Sequence, residues 1–194
     1  LQRIGLTLQI EDLRFAPPGA APFHPAGAEF PGDVPPAAPR VTRALSVAPA
    51  PTRWQSTGLY APPGERLTVR LDAGAAARGL ALRIGAFTDE NWHLEDWTRA
   101  PSIWSRHPLT ATEVAASNAF GGPVYVEVPG GTPADGPAAV TIAGAVEAPL
   151  FVLGTTTVAE WRGRLRTLAA PYAELGSDRL FITVPSAAIR DLVD

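Results

Sequence analysis

Glycine and proline interrupt this 194-residue sequence at short intervals, and they constrain its fold more than any other feature. The chain has 18 Gly and 21 Pro, about one residue in five, against a usual combined share of ~12%. Both residues favour turns and end helices or strands. Because 46% of the residues are hydrophobic, the chain still has enough apolar surface for a packed core. We therefore expect one turn-rich domain with a loose appendage, and neither a helical bundle nor a disordered chain.

Apolar and polar residues alternate between these breaks, which is the pattern of half-buried strands. Clear examples are residues 67–71, 80–84, 124–128 and 139–143, each of which follows a turn signal containing Gly or Pro. No helical period separates these runs. The sequence therefore predicts a mostly β fold, in the form of an antiparallel β-sandwich of jelly-roll, immunoglobulin-like or galactose-binding-like type.

The first quarter of the chain has a different pattern. Residues 6–10 alternate and predict one short strand at the amino end. Residues 16–51 are dense in Pro and Gly, which predicts an extended connector, with a strand at 41–47 within it. We accordingly expect an N-terminal strand and Pro/Gly-rich connector over residues 1–52 and a β-sandwich module over residues 53–194.

Two short helices are predicted near the C-terminus. Thr157 and Glu160 have the spacing of a capping box. One helical face after them carries Val158, Trp161, Leu165 and Leu168. This pattern predicts a helix of about three turns that ends before Pro171. A strand at residues 180–184 follows, and Ser186 is then placed to cap a second helix that continues towards the last residue.

Several function classes are excluded by composition and motif. A net charge of -3 argues against sequence-independent electrostatic binding to nucleic acid or to an anionic membrane surface. The absence of Cys excludes disulfides and thiolate nucleophiles, and no apolar run of ~18 residues is present for a membrane span. The hydrolase and phosphate-binding glycine motifs are also missing. His24, His93 and His107 are too far apart for a zinc-binding helix, which needs two histidines four residues apart.

One acidic run contains oxygen ligands of the kind that calcium prefers. Asp89, Glu90, Glu95 and Asp96 lie within eight residues of one another, but they lack the glycine-centred spacing of a calcium loop. The alternative is a solvated loop between strands whose charges face water.

Three tryptophans lie in the same region. Trp92, Trp97 and Trp104 are close in sequence, and an exposed row of indoles would stack on sugar rings or on an apolar partner surface. These residues are therefore the candidate glycan or partner contacts. The alternative is that the rings plug one end of the sandwich beneath a long loop.

Seven ordered blocks of sequence carry a resemblance to a known family. They are WQSTGLYAPPGE (54–65), RIGAFTD (83–89), WTRAP (97–101), NAFGGPVYV (118–126), APLFVLG (148–154), PYAEL (171–175) and TVPS (183–186). Together they resemble the amino-terminal half of the enhancin-like zinc metallopeptidases, peptidase family M60. The resemblance covers residues 53–194.

The resemblance implies a parent enzyme that is secreted or on the cell surface and cleaves mucins and other O-glycosylated proteins. It also implies a β-sandwich that precedes a catalytic half with a zinc-binding His-Glu-x-x-His helix. No such run occurs in this sequence, so we expect a catalytically silent chain, with no metal site of its own, whose zinc lies in the parent catalytic domain.

Three functions remain open at this point. The first is a non-catalytic module that supports the catalytic half of the same polypeptide and borders its substrate cleft. The second is a stand-alone glycan-binding module that uses the tryptophan-rich loop. The third is a structural spacer that docks neighbouring domains through the apolar face around Trp161 or Leu192.

Overall fold

The computed structural model describes residues 2–49, 54–129, 136–177 and 179–192, and these residues form a mostly β structure. The strands are β1 (Arg40–Val47), β2 (Trp54–Ala61), β3 (Leu67–Leu71), β4 (Ala81–Ile84), β5 (Ser105–Pro108), β6 (Glu113–Ala116), β7 (Gly122–Glu127), β8 (Ala138–Glu147), β9 (Leu150–Val152), β10 (Tyr172–Gly176) and β11 (Phe181–Pro185). The α-helices are α1 (Gln2–Arg14), α2 (Ala73–Ala76), α3 (Val158–Gly163) and α4 (Ser186–Arg190).

The first eight strands form one large antiparallel sheet. Its order is β5-β4-β7-β2-β8-β3-β6, and β1 pairs with β8 beside this path. The long strand β8 pairs with β1, β2 and β3, and the sheet curls until it is nearly a closed barrel. The predicted mostly β, antiparallel fold is confirmed, and so is the strand at 41–47, which is part of β1.

The inner face of this sheet holds the main core. In β3, Leu67, Val69 and Leu71 are buried while Arg70 is exposed, as the alternating sequence predicts. The same cluster includes Leu59, Leu82, Ile84, Val124, Val126, Val140 and Ile142. Since these side chains come from five strands, the core joins distant parts of the sequence.

The second sheet is small and has the order β11-β10-β9. Helices α3 and α4 pack on it through Trp161 and Ile189, which contact Ala173. The Thr157 hydroxyl accepts a hydrogen bond from the Glu160 N–H, which confirms the predicted cap.

Both C-terminal helices differ in detail from the prediction. The expected three-turn helix is wrong in length, because α3 ends at Gly163 and only a 3-10 turn, Leu165–Thr167, follows. Ser186 is not an N-cap: it lies inside α4, and its hydroxyl donates to the Ala170 carbonyl at 2.7 Å. That bond ties α4 to the segment before β10.

The predicted N-terminal strand is wrong, because residues 2–14 form α1. Leu6, Ile10 and Leu13 are spaced by four and three residues, which also fits one face of a helix. Ile10 is buried in a cluster that includes Leu13, Ile103 and Phe120. The alternation over residues 6–10 fitted both structures, and this long-range packing selected the helix.

The Pro/Gly-rich segment before β1 lies against the sheets. Val34 and Ala38 are buried beside Tyr60, whose hydroxyl donates to the Gly32 carbonyl at 2.6 Å. Prolines leave few backbone donors to satisfy, so this segment covers the sheet without joining it by strand pairing.

Candidate functional site

The histidines and the acidic run do not make a metal site. Within the described ranges no group of three or more His, Asp or Glu side chains converges. His107 is buried, lies 3.0 Å from the Ser105 hydroxyl, and has its pKa lowered by burial. His24 packs against Phe120, whereas His93 is exposed. The three histidines therefore have separate local roles.

The carboxylates proposed for calcium are engaged by arginines or point to solvent. Asp89 forms an ion pair with Arg99, and Glu90 forms one with Arg14 at 3.4 Å. Glu95 and Asp96 are exposed. The four carboxylates do not surround one point in this region, so their oxygens do not form a calcium shell.

The three candidate tryptophans are half-buried and do not form a row. Trp104 lies between two guanidinium groups, with the Arg14 carbon 4.3 Å and the Arg83 carbon 4.2 Å from its ring centre. Trp92 contacts Trp97 edge-on, with ring centres 5.4 Å apart. Trp92 also packs against the cluster around Ile10, and the indole Nε1 atoms of Trp97 and Trp104 are both buried.

Trp97 lines a groove of about 480 Å³ between α1 and the tryptophan-rich loop. Arg3 and Arg99 bring positive charge to its wall, while Glu29 and Asp96 bring negative charge. Arg3 also lies over the Trp97 ring at 4.8 Å. Trp92 and Trp104 do not line this groove. A ligand in it would therefore meet one indole and mixed charge.

Arg83 is a buried arginine that packs against Trp104. It is 4% exposed, and its guanidinium lies 4.0 Å from the Trp54 ring centre on one side and faces Trp104 on the other. Its Nε donates to the Gly85 carbonyl at 3.0 Å, and it pairs with Glu127 at 3.4 Å. Burial lowers the pKa of Arg83, and Glu127 opposes that shift.

A second, smaller pocket lies where the two sheets meet, and the sequence did not point to it. It contains Glu174 of β10, which is 2% exposed. The Ser56 hydroxyl donates to one oxygen of this carboxyl, and the other oxygen, Oε1, has no hydrogen-bond partner. Burial raises the pKa of Glu174, and hydrogen bonding by the Ser56 and Tyr125 hydroxyls opposes this. In the sequence, this site is marked only by a charged residue, Glu174, between the apolar residues Ala173 and Leu175.

The small sheet exposes an apolar face. A groove of about 330 Å³ is lined by Phe151, Val158, Trp161, Arg162, Leu175, Ile189 and Leu192. Three more apolar side chains in or next to strands β9 and β11 are each more than half exposed: Leu153, Leu180 and Ile182. Exposed apolar side chains in this number favour contact with another surface. None of the helices in the described ranges is both long and apolar enough to cross a bilayer.

Family models match the chain in two adjacent parts. Residues 36–143 match the N-terminal domain of M60-like peptidases, and residues 144–194 match peptidase M60, enhancin and enhancin-like. The second match begins within β8 and includes the whole small sheet.

Curated relatives are TRPM8 channel-associated factors. The chain is 40% identical to TRPM8 channel-associated factor 2 of Bos taurus over 146 residues, which are 75% of this chain and 16% of that protein. It is 36% identical to TRPM8 channel-associated factor 1 of Homo sapiens over 139 residues, or 72% of this chain and 15% of the relative. The chain therefore spans only about a sixth of the length of these relatives.

Solved structures share the fold at low identity. The IMPa metallopeptidase from Pseudomonas aeruginosa matches with a TM-score of 0.63 and 20% identity, over 90% of this chain and 20% of the other. The ZmpB metallopeptidase from Clostridium perfringens matches with a TM-score of 0.56 and 16% identity, over 77% of this chain and 35% of the other.

Proposed function

The chain belongs to the M60-like peptidase family, and from that premise we propose that it is the non-catalytic N-terminal module of a zinc metallopeptidase that cleaves mucins and other O-glycosylated proteins. In this role the module supports the catalytic half of the same polypeptide and borders its substrate cleft. The parent enzyme acts outside the cell or on its surface.

One observation carries this proposal. The peptidase match covers the small sheet, and this sheet leaves Leu153, Leu180 and Ile182 exposed. Further polypeptide of the catalytic half would bury these side chains, and each one removed from water adds up to ~1.5–3 kcal/mol of driving force. The groove around Trp161 and Leu192, the face that the sequence singled out for docking, is also lined by Phe151 and Leu175 of the small sheet.

The described residues of this chain do not form a ligand set for the zinc of the family. No group of three His, Asp or Glu ligands is present in the described segments, and His24 and His107 are held in separate packing contacts. We therefore derive no catalytic step from this chain. The catalytic chemistry of the proposed parent belongs to its other half.

A cleavage assay tests the proposal directly. The chain alone, shown to be folded by cooperative thermal unfolding, is incubated with zinc and an O-glycosylated mucin, beside a version extended through the catalytic half. We expect no cleavage by the chain alone and cleavage by the extended protein that a chelator abolishes. Cleavage by the chain alone, or an extended protein that leaves mucin intact, contradicts the proposal. In the second outcome, a docking role like that in the name of the TRPM8 channel-associated factors becomes the better account.

A second candidate function is glycan binding by the chain itself. The observation that favours it is the groove of about 480 Å³ with Trp97 in its wall, since an indole face stacks on a sugar ring and charged side chains bind hydroxyl groups. Trp92 supports this ring edge-on. Trp104 contributes only indirectly, through the packing of the loop.

Titration with mucin O-glycans tests this candidate through tryptophan fluorescence. If glycans bind in the groove, Trp97→Ala weakens the affinity by about tenfold or more, because a central aromatic contact is lost. Phe23→Ala is the matched control, since Phe23 is an exposed ring that does not line the groove. The absence of any response at millimolar sugar, or equal affinity of the Trp97 variant and the wild type, rules the function out.

A further inference from the structure

The pocket between the two sheets has the features of a small built site. Its volume is about 210 Å³, below the ~300 Å³ at which pockets for drug-sized ligands begin. Trp54 and Ser56 come from β2, Tyr125 from β7, Glu174 from β10, and Phe181 and Thr183 from β11. The pocket therefore has room for one small chemical group.

The buried carboxyl of Glu174 is incompletely satisfied. The Ser56 hydroxyl donates to its Oε2, whereas its Oε1 is out of contact with water and has no hydrogen-bond partner. Leaving a carboxylate buried and unpaired costs several kcal/mol, so most such groups have a cation or several donors beside them. The Tyr125 hydroxyl also interacts with this carboxyl, but no cation pairs with it within the described residues.

The buried arginine beside this pocket is engaged with other groups. Arg83 is near the pocket, but its guanidinium pairs with Glu127 and is stacked between Trp54 and Trp104. No arginine of the described segments forms an ion pair with Glu174, and the sequence contains no lysine. An external cation in the pocket would place a positive charge beside this carboxyl.

The walls of the pocket suit such a charge. Trp54, Tyr125 and Phe181 surround the space beside the carboxyl, and aromatic rings attract organic cations through their faces and bind their alkyl groups. The Tyr125 and Thr183 hydroxyl oxygens, 3.4 Å apart, add acceptors for N–H groups. A neutral sugar would use the hydroxyls but would leave the carboxylate charge uncompensated.

We propose that this pocket binds an alkylammonium group, with its N–H groups donating to Oε1 of Glu174 and its alkyl chain against the aromatic rings. The ligand is either a free primary amine or the lysine side chain of a polypeptide that packs at the junction of the sheets. The chemistry is the same in both cases. This site is separate from the proposed peptidase role and from the groove at Trp97.

Titration of the chain with n-butylammonium chloride tests the site, with amide chemical shifts as the readout. We expect saturable shifts at residues near 56, 125 and 174 at millimolar ligand. Neutral n-butanol and a salt control matched in ionic strength should produce no saturable change. Glu174→Gln keeps the shape of the side chain and removes its charge, so the affinity should fall by at least about tenfold.

A variant outside the pocket controls for binding elsewhere on the protein. Trp97→Ala, outside the pocket, should bind the amine as the wild type does. Equal binding by the wild type and the Glu174→Gln variant overturns the proposal, as does no binding by the wild type. Binding of methyl galactoside in preference to the amine overturns it too. If the amine binds the isolated chain but not the extended protein, the natural occupant is a side chain of the adjoining polypeptide; binding by both identifies a free amine.

Discussion

Replacing Gly121 with alanine is expected to lower the free energy of unfolding by about 3 kcal/mol or more. Gly121 has a φ of +69°, and an added Cβ would lie 2.5 Å from the Ala61 carbonyl oxygen and 2.8 Å from the Pro63 nitrogen. The left-handed backbone costs a non-glycine residue ~1–2 kcal/mol, and overpacking against backbone that cannot move aside adds ~1–3 kcal/mol. Urea unfolding followed by circular dichroism measures the loss.

Gly154→Ala is the matched control for this substitution. Its φ is +82°, but nothing lies within 4 Å of the added Cβ, so it should lose only the ~1–2 kcal/mol of the backbone term. The difference between the two variants isolates the contact of Gly121 with the turn after β2. Equal losses for both variants contradict this account.

The contact at Gly121 joins two turns that the sequence marks separately. The Gly64 N–H donates to the Asn118 carbonyl at 2.8 Å, and the Gly121 N–H donates to the same oxygen at 3.1 Å. The Asn118 side chain in turn donates to the Ile103 carbonyl at 3.1 Å. The two turns therefore fix the end of the tryptophan-rich loop, and a clash at Gly121 would disturb that loop as well as the core.

The strands were predictable where one face of the sheet is buried. In β3 the buried apolar residues alternate with more exposed ones in a short run bounded by Gly and Pro, and local sequence alone specifies this pattern. Helix α1 was not predictable in this way, because Leu6, Leu8 and Ile10 alternate as a strand does. The burial of Ile10 against Ile103 and Phe120, about a hundred residues away, decided the outcome.

The candidate site was predictable only in part for the same physical reason. The cluster of Trp92, Trp97 and Trp104 is visible in the sequence, but the arginines that cover two of the three rings, Arg3, Arg14 and Arg83, come from α1 and β4. Their positions depend on how distant elements pack. The Glu174 pocket is also formed by strands of both sheets, so no local sequence motif predicts it.

Replacing Arg83 with alanine is expected to destabilise the protein by about 3 kcal/mol, because the side chain fills the space between two indoles. The substitution leaves a void between Trp54 and Trp104 and removes the bond to the Gly85 carbonyl. Large-to-small changes in a packed site cost ~2–5 kcal/mol. Glu127 keeps its pairing with Arg106 at 2.6 Å, so the unpaired-charge penalty that follows the loss of one partner of a buried ion pair is small here. Urea unfolding gives the value.

Two further variants separate charge from volume: a surface control at position 70 and a methionine substitution at position 83. Arg70→Ala breaks an ion pair whose side chains are 59% and 56% exposed, and it should cost less than ~1 kcal/mol. Arg83→Met restores most of the volume without the charge, and the Nη2 of Arg83 is already buried without a hydrogen-bond partner. If packing between the rings dominates, methionine should therefore recover more than half of the stability that alanine loses. A methionine variant as unstable as the alanine variant would instead show that the guanidinium charge on the two indoles is the main contribution.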